Sequence, residues 1–421
     1  MVTTPKSIEK GNVNIMVTFY SFIVKFILAL NLELSKPQLN HVLTFVQGII
    51  LTDGRMTVTQ IRRSTHEKRD LSCMTRFLNE SPWCPNRVKR KRLQFMMERI
   101  KKARMKQGDS RSITFFIIDD TQSKKDRSTK QMEGLDEHFS HSDGKSMWSH
   151  CIVTAHIVSE GYSFAWDFRS YFREQYCQEH GLTFKSKNDL AIELIESYKS
   201  TTDEQVYVLV DSWYTSRKLI DECSQKGFHL IGGLRANRKI YPVGIGIKIS
   251  EFASTYIQNS DLYSVTVGRH EYKIYTYEGH LSDTQSAKVL LSWENKFDSS
   301  KTPFCILCTD SSLDLVTILN YYNVRWNIET GYRYFKDLLG FDEYQLLSHK
   351  GIERFWSIEF LTYNFLEYQR HEWQKEIPLT IGDVVRRIRK DHLGQIAVYA
   401  YEQALSKKSL AEVLKELKLT A

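Results

Sequence analysis

The segment SITFFIIDD, from Ser112 to Asp120, is the part of the sequence on which the class of fold depends most. It is an almost unbroken apolar run that ends in two carboxylates, and such a run predicts a strand buried on both faces. The segment VYVLVDSW, from Val206 to Trp213, repeats the pattern with an acid at Asp211. Two buried strands that each end in an acid indicate a sheet whose faces are covered by other elements.

Strands and helices alternate around these two segments. The predicted strands include HCIVTAHIVS and YSFAWDFRSYF, joined by a turn at Glu160 and Gly161, and FHLIGGLRANR. The predicted helices are LAIELIESYK and SRKLIDECSQKG. Mixed elements in this order are typical of an α/β domain. From Lys239 to about Ser300 short strands alternate with turn residues, which predicts a β-rich insertion before TPFCILCTD returns to the sheet.

The N-terminal part has a different texture. Residues 15–106 are predicted to be helical, with breaks at Thr52 to Gly54 and at Ser81 to Pro85. Two short helices are expected between the breaks, and Ser72 is the candidate N-cap of the second. Two helices joined by a turn can place the second helix in a major groove. A plain helical bundle with a charged exterior fits the same spacing, so both alternatives stay open.

The positive charge of the chain is concentrated in this helical part. The whole chain of 421 residues carries a net charge of +8, but the segment from Arg55 to Lys106 alone contains 16 Lys and Arg against 4 acids. The rest of the chain is therefore mildly acidic. A basic module of this kind indicates a polyanionic partner, most commonly nucleic acid, with an acidic membrane surface as the alternative.

Cysteine usage and hydropathy narrow the class of protein further. The 7 cysteines are scattered, which predicts reduced thiols in a cytosolic protein. Cys305 and Cys308 form a C-x-x-C, but no second pair follows at the spacing of a zinc ribbon, so no metal site is expected there. The one candidate for a membrane span, Ile15 to Leu34, contains Lys25 and Glu33 and is predicted to be a buried helix.

The segment YNVRWNIETGYRYFK, from Tyr322 to Lys336, contains no proline and recurrent apolar residues, which predicts a single helix. Its four distinctive polar residues are Tyr322, Arg325, Glu329 and Lys336. At about 100° per residue these four fall within an arc of about 60°, beside an arc of bulky side chains. A solvated ladder of salt bridges and a shared ligand both explain that edge, and the pattern alone does not decide between them.

The ends of the two buried strands suggest a cation site. In open α/β sheets, ligands bind in the crevice at the carboxyl ends of the strands. Asp119, Asp120 and Asp211 would lie there, and a carboxylate at the end of an apolar strand loses solvation unless a positive charge meets it. Mg²⁺ takes oxygen ligands, and two-metal sites catalyse in-line phosphoryl displacement. A third acid has to come from elsewhere, and Glu329 is the candidate.

With these residues in view, the chain resembles a DDE transposase of the bacterial insertion-sequence type, whose signature is Y-x2-R-x3-E-x6-K. Tyr322, Arg325, Glu329 and Lys336 fill that signature. Asp120, followed by Thr121, matches the first acid of the family, Asp211 the second and Glu329 the third. Asp119 is the other candidate for the first acid. Because adjacent strand residues face opposite ways, only one of the two should reach the metal, and we select Asp120.

The resemblance implies an architecture. The expected fold is an α/β, RNase H-like catalytic domain interrupted by a β-rich insertion, with a helical N-terminal DNA-binding region and a helical C-terminal tail. The 117 residues between Asp211 and Glu329 resemble the strand insertion of that family. The expected divisions are residues 1–110 for DNA binding, 111–238 and 301–377 for the catalytic domain, 239–300 for the insertion and 378–421 for the tail.

The resemblance also implies the chemistry. Asp120, Asp211 and Glu329 would be the catalytic residues and would hold two Mg²⁺ ions, for which Mn²⁺ can substitute. The enzyme would nick DNA at the ends of its element and join the freed end to target DNA by cut-and-paste transposition. Tyr322, Arg325 and Lys336 would contact phosphates near the cut.

The expected partners are double-stranded DNA and a second copy of the chain on paired ends, without a membrane, in the bacterial cytoplasm and associated with the nucleoid. Two rival hypotheses remain: a DNA-binding repressor that no longer cuts, and a hydrolytic nuclease without strand transfer.

Other polar residues have two interpretations each. Arg235, Asn237 and Arg238 in LRANRK could bind DNA backbone or form an exposed basic turn. The same holds for Lys124 and Lys125. Trp293 could stack on a base or be structural, and the second is the stronger interpretation. The histidines that lack the spacing of a zinc site, and are expected to be structural or exposed, are His138, His141, His150 and His156.

Overall fold

The computed structural model describes residues 19–65, 69–107, 112–140, 144–282, 284–374 and 377–417. Its N-terminal helices are α1 (Ser21–Ala29), α2 (Lys36–Leu51), α3 (Val58–Ser64), α4 (Leu71–Asn79) and α5 (Pro85–Gln107). The two predicted breaks are therefore confirmed. The predicted N-cap is wrong, because α4 begins at Leu71 and the Asp70 carboxylate accepts the backbone N–H of Ser72.

Residues 19–34 of the hydrophobic N-terminal stretch lie within the described part of the chain, whereas residues 15–18 lie outside it. Helix α1 buries Ile23, Phe26 and Ile27, as a helix packed in a core does. In the ranges that the structure describes, no helix combines the length and the apolar character needed to cross a membrane.

The strands of the central sheet follow the helical part. They are β1 (Ser112–Lys124), β2 (Asp136–Ser140), β3 (Lys145–Ser159), β4 (Tyr162–Tyr171), β5 (Glu204–Val210) and β6 (His229–Leu234). The five long neighbours have the order β4-β3-β1-β5-β6, with β1, β5 and β6 parallel and β3 antiparallel to both β1 and β4. The connections contain α6 (Glu174–Glu179), α7 (Lys187–Glu196) and α8 (Arg217–Gln225).

The predicted β-rich insertion continues this sheet instead of forming a separate layer. Its elements are β7 (Lys239–Ile240), β8 (Ile247–Lys248), α9 (Ile249–Thr255), β9 (Tyr263–Val267), β10 (His270–Leu281) and β11 (Thr284–Glu294), followed by β12 (Phe304–Cys308). β12 pairs with β6, β11 with β12 and β10 with β11, all antiparallel. Cys305 and Cys308 on β12 belong to the hydrophobic clusters on opposite faces, and both are free thiols.

Helices complete the chain. They are α10 (Leu315–Asn323), α11 (Trp326–Arg333), a π-helical turn (Tyr334–Leu338), α12 (His349–Trp373), α13 (Ile381–Leu405) and α14 (Leu410–Leu417). Helix α12 is buried along most of its length and packs against α2, α4, α5 and β4. It therefore joins the basic N-terminal helices to the sheet in one continuous hydrophobic core.

The alternation of side chains along β1 separates the two faces of the sheet. Phe116 points to the α7 side, where its ring centroid lies 5.4 Å from that of Tyr198. Ile117 belongs to the cluster on the other face, together with Ile318 of α10 and Ile328 of α11. Because the alternation continues along the strand, Asp119 shares the face of Ile117 and Asp120 shares the face of Phe116.

Candidate active site

Asp119 and Asp211 are neighbours across two parallel strands. Ile117 of β1 is level with Leu209 of β5, so Asp119, two residues further on, is level with Asp211. Asp211 is the first residue after β5, and its Oδ1 accepts the backbone N–H groups of Trp213 at 2.9 Å and Tyr214 at 3.2 Å. These two bonds fix the turn that follows β5 and hold the carboxylate at the end of the sheet.

Arg325 lies between Asp119 and Glu329. Its Nη2 donates to Glu329 Oε1 at 2.7 Å, and its Nη1 is 3.8 Å from Asp119 Oδ2. The guanidinium therefore links the end of β1 to the first turns of α11. A solvated ladder along one helix edge does not describe this arrangement, because Arg325 is largely buried and reaches a carboxylate on the sheet.

The helix that carries the signature is not the single regular helix that the spacing predicts. α10 ends at Asn323 and α11 begins at Trp326, and the N–H of Ile328 donates to the carbonyl of Arg325, three residues back. This tighter turn changes the angular spacing that a regular α-helix would give. The prediction of one α-helix from Tyr322 to Lys336 is therefore wrong at its first turn and at its last residues, which form the π-helical turn.

Asp120 lies on the opposite face, apart from Asp211 and Glu329. Its Oδ2 accepts the Lys187 ammonium at 2.7 Å, its Oδ1 accepts the Tyr214 hydroxyl at 2.9 Å, and the Cys151 thiol lies 3.7 Å away. The structure does not bring Asp120 to Glu329 as the sequence predicts, and Asp119 lies there instead. The physical reason is the alternation of side chains along β1, which turns Asp119 and not Asp120 toward α11.

The surroundings of Asp119 disfavour the charged form of its carboxyl group. Burial, with a further contribution from the neighbouring carboxylates of Asp120 and Asp211, raises the pKa of Asp119 to about 8, and the opposing effect of Arg325 is smaller. A carboxyl group held in this way is predominantly protonated at neutral pH unless a cation joins it. The three acids are hard oxygen donors, which is the set that Mg²⁺ prefers, so the residues fit a divalent ion.

The acids are not gathered around one point. Within the described ranges, no group of three or more His, Cys, Asp or Glu side chains is close enough to hold an ion. The guanidinium of Arg325 stands between two of the candidate ligands, Asp119 and Glu329. Metal binding by these three acids would therefore require Arg325 to give up its contact with Glu329.

Tyr322 and Lys336 lie on either side of this group. The Tyr322 hydroxyl occupies the space that a side chain at Gly233 of β6 would enter, 3.1 Å from the position of its Cβ. Burial raises the pKa of Tyr322. Lys336, in the π-helical turn, is half-buried and lines a small cavity with Thr121 of β1 and Thr154 of β3. Thr121 is two residues beyond Asp119 and shares its face, so the structure brings all four signature residues to one face of the sheet end.

Two models of known protein families match the chain. Residues 32–250, more than half of the chain, match the family model described as DDE superfamily endonuclease. The chain belongs to this family. Residues 185–365 also match the model described as transposase DDE domain, so the predicted DDE transposase kinship is confirmed at the level of the family. No curated protein matches the chain.

In this DDE endonuclease, the basic turn after β6 lies beside Asp211. Arg235 and Asn237 are exposed, and the Arg235 guanidinium lies 5.2 Å from the ring centroid of Trp213. Arg238 donates to the carbonyl of Thr215 at 3.1 Å. With Trp213, these three residues line a cavity of about 370 Å³ next to the turn that Asp211 begins.

Aromatic residues form a second cavity of the DDE endonuclease, of about 580 Å³, which Asp211 and Arg325 also line. Phe304 and Trp326 line it and are 56% and 59% exposed. Neither residue is among the site residues that the sequence predicts. Trp326 stands inside the signature segment, which was the only available signal, whereas nothing local distinguishes Phe304 from other strand residues.

The remaining candidates have structural surroundings. Trp293 is only 5% exposed, and its Nε1–H donates to the carbonyl of Lys301. Lys125 donates to backbone carbonyls and lies 3.6 Å from the ring centroid of Tyr344, while Lys124 is exposed at the end of β1.

Of the four histidines considered as zinc ligands, the three that the structure describes form no metal-binding group. A ring nitrogen of His150 lies 2.7 Å from the Tyr344 hydroxyl, and one of His156 lies 2.8 Å from Ser163 Oγ. His138 is buried on β2, whereas His141 lies outside the described residues.

Proposed function

We propose that this DDE endonuclease is a transposase that cuts DNA at the ends of an insertion sequence and joins them to target DNA by cut-and-paste transposition. The proposed catalytic and metal-binding residues are Asp119, Asp211 and Glu329. The observation that carries this assignment is that Asp119 and Asp211 are level on adjacent parallel strands while one guanidinium, Arg325, joins Asp119 to Glu329.

The strand order supports an RNase H-like catalytic domain. β3 and β4 lie antiparallel on one side of β1, and the parallel strands β5 and β6 lie on the other. This arrangement puts the end of β1 beside the end of β5, where α10 and α11 cover the sheet. In the sequence, the β-rich segment 239–300 lies between β6 and these helices. It can therefore enlarge the surface that faces DNA without displacing Asp119, Asp211 or Glu329.

Two divalent ions bound here, Mg²⁺ or Mn²⁺, would activate a water and stabilise the attacking and leaving oxygens of the scissile phosphate. The residues of the chain have their own tasks. Asp119, Asp211 and Glu329 supply oxygen ligands. Arg325 exchanges its contact with Glu329 for a forked contact with a DNA phosphate, because a guanidinium matches phosphate geometry well.

Other residues hold DNA beside the cut. Tyr322 and Lys336 flank Glu329 on the same face and contact backbone phosphates there. Arg235, Asn237 and Arg238 form a second basic turn next to Asp211, and we assign them to DNA backbone as well. Helices α3 and α4, with Arg62, Arg63 and Arg76 in their last turns, are the candidate pair for element-end recognition.

Asp120 is a positioning residue in this proposal. Its carboxylate accepts the Tyr214 hydroxyl, while the Tyr214 backbone N–H donates to Asp211. Its backbone N–H donates to Asp119 Oδ1 at 2.8 Å. Asp120 therefore contacts Asp119 directly through its backbone N–H and reaches Asp211 through Tyr214, and its ion pair with Lys187 anchors this connection to α7.

The decisive experiment is a cleavage assay in Mg²⁺ on a supercoiled plasmid that carries both element ends. We expect two copies of the chain to assemble on the paired ends. Nicking that requires Mg²⁺ and disappears in Asp119→Asn, followed by joined products with short target duplications, supports the transposase. DNA binding without nicking would support the repressor. Nicking without joined products would support the hydrolytic nuclease. The division into domains and the association with the bacterial nucleoid remain predictions.

A further inference from the structure

A second basic cavity lies away from the proposed cleavage site, where α5, β4 and α12 meet. It has a volume of about 750 Å³, which is large enough for a sugar–phosphate unit. Its walls contain two carboxylates, Asp167 and Glu353, and five cations. The cations are Lys89, Arg92, Arg169, Lys350 and Arg354. We call this cavity the α5–α12 cleft.

Two of these cations are buried and form no ion pair within the part of the chain that the structure describes. Arg92 is 2% exposed and donates to the carbonyls of Ala165 at 2.6 Å and Trp166 at 2.7 Å. Carbonyl groups satisfy its N–H donors, and its positive charge is compensated only in part, by the nearby Asp167 carboxylate, which also accepts Lys89 and Arg169. Burial of this kind is costly for a charge, and it lowers the pKa of Arg92 to about 10.

Arg354 repeats the arrangement from the other wall. It is 5% exposed and donates to the carbonyls of Leu78 and Trp83 at 3.0 and 2.7 Å. Among the described residues, neither Arg354 nor Arg92 forms an ion pair, and the exposed Lys350 at the start of α12 forms none in the same ranges. An anion that entered the cleft would therefore meet three cations that form no ion pair with a residue of the described ranges.

The acids of the cleft are already engaged. Asp167 accepts Lys89 at 2.9 Å and also the Arg169 guanidinium. Glu353 accepts the hydroxyl of Ser170 at 3.2 Å. A hydroxyl leaves the charge of Glu353 in place, but five cations against two carboxylates still give the cleft an excess of positive charge. Partly desolvated cations attract an anion more strongly than cations in open water do.

The cleft lies near the end of the sheet where Asp119 is placed. Phe168, which lines the cleft, is level with Thr154 of β3, and Thr154 is level with Asp119. The cleft thus begins two strands, or about 10 Å, from the row of the first proposed ligand. The basic helix α5 forms one wall, and residues of α12 and β4 complete it.

We propose that the α5–α12 cleft binds a backbone phosphodiester of DNA at a position separate from the scissile phosphate. The identity of the polyanion as DNA rests on the proposed function, whereas the site itself rests on the charges and the volume of the cleft. Phe168 and Phe360 supply an apolar wall against which a deoxyribose can pack.

The test uses charge reversal at the exposed lysine, Lys350→Glu, with Lys199→Glu as the matched control. Lys199 is also exposed, lies after α7 and lines none of the four cavities described above. DNA affinity is measured by fluorescence anisotropy in EDTA across a series of salt concentrations, so that cleavage plays no part. We expect Lys350→Glu to weaken binding about tenfold and to lower the slope of log K against log salt by about 1, with Lys199→Glu unchanged.

A second measurement separates DNA from free anions. A benzophenone side chain at position 350 should crosslink to duplex DNA at a nucleotide away from the cut, and thermal unfolding should be followed with inorganic phosphate alone. Equal affinities and equal salt slopes for the two variants would overturn the proposal. So would stabilisation by inorganic phosphate without any DNA crosslink, which would identify a small-anion site. Because EDTA is present, failure of the catalytic assignment does not affect either result.

Discussion

Arg325 donates to Glu329 at 2.7 Å across one turn of helix, so the cation and the acid that the signature spaces four residues apart neutralise each other. The same guanidinium approaches Asp119 from the other side. When a divalent ion and a DNA phosphate bind together, they can replace these contacts. Asp119 and Glu329 would then bind the ion, and the Arg325 guanidinium would bind the phosphate.

Replacement of Glu329 tests this exchange. Glu329→Gln should abolish Mg²⁺-dependent nicking of a plasmid with both ends, because it removes an anionic ligand. DNA affinity in EDTA should not fall, since Arg325 loses its internal partner and stays available for phosphate. A Glu329→Gln variant that still nicks would remove Glu329 from the site, and Glu343→Gln, a change of the same type outside it, serves as the control.

The Asp119–Asp120 doublet gives a second prediction. Asp119→Asn should lose Mg²⁺-dependent nicking at every metal concentration. Asp120→Asn should keep it at saturating Mg²⁺ but require about 10- to 100-fold more metal, the range for loss of a contact that orients a ligand. Mn²⁺ binding measured by calorimetry checks the same shift without turnover. The opposite pattern, with Asp119→Asn active and Asp120→Asn inert, would restore Asp120 as the ligand.

The sequence predicts much of this site, and the parts that it misses have identifiable causes. The apolar runs before Asp119 and Asp211 predict both strands correctly, because fully buried strands need no partner to be recognised. Which of two adjacent aspartates faces α11 depends on how β1 packs between two layers, and that is a tertiary property. The choice between Asp119 and Asp120 was therefore beyond local pattern.

Periodicity has a similar limit at the signature. It predicts helical structure from Tyr322 onward correctly, but it assumes that every residue turns the helix by the same angle of about 100°. The short turn around Arg325 rotates that side chain toward Asp119, and the contact is made by residues more than 200 positions apart. The α5–α12 cleft is also invisible in the sequence, because its walls come from three distant segments.

Glu359 of α12 gives a prediction about stability and pH. Its carboxylate oxygens are buried and make no hydrogen bond among the described residues, and burial raises its pKa well above the usual value. A raised pKa in the folded state contributes stability below the pKa of the unfolded chain, and this contribution is lost as the pH rises. Glu359→Met should therefore stabilise the fold, by about 1–3 kcal/mol at pH 8 and by less at pH 5. Urea unfolding at both pH values measures the difference, and an equal effect at both would contradict a buried titrating carboxyl.

The basic turn beside Asp211 gives the last prediction. Arg235 is exposed, stacks near Trp213 and shares a cavity with Asn237 and Arg238, so a phosphate that it binds would lie close to the proposed cut. Arg235→Ala should weaken DNA binding at all sequences and reduce the salt slope by about 1, because one phosphate contact disappears. Nicking at saturating DNA should persist, since no metal ligand changes. Anisotropy titrations at several salt concentrations measure both quantities, with Lys199→Ala as the control, and an unchanged slope in Arg235→Ala would leave this turn as a solvent-exposed basic loop.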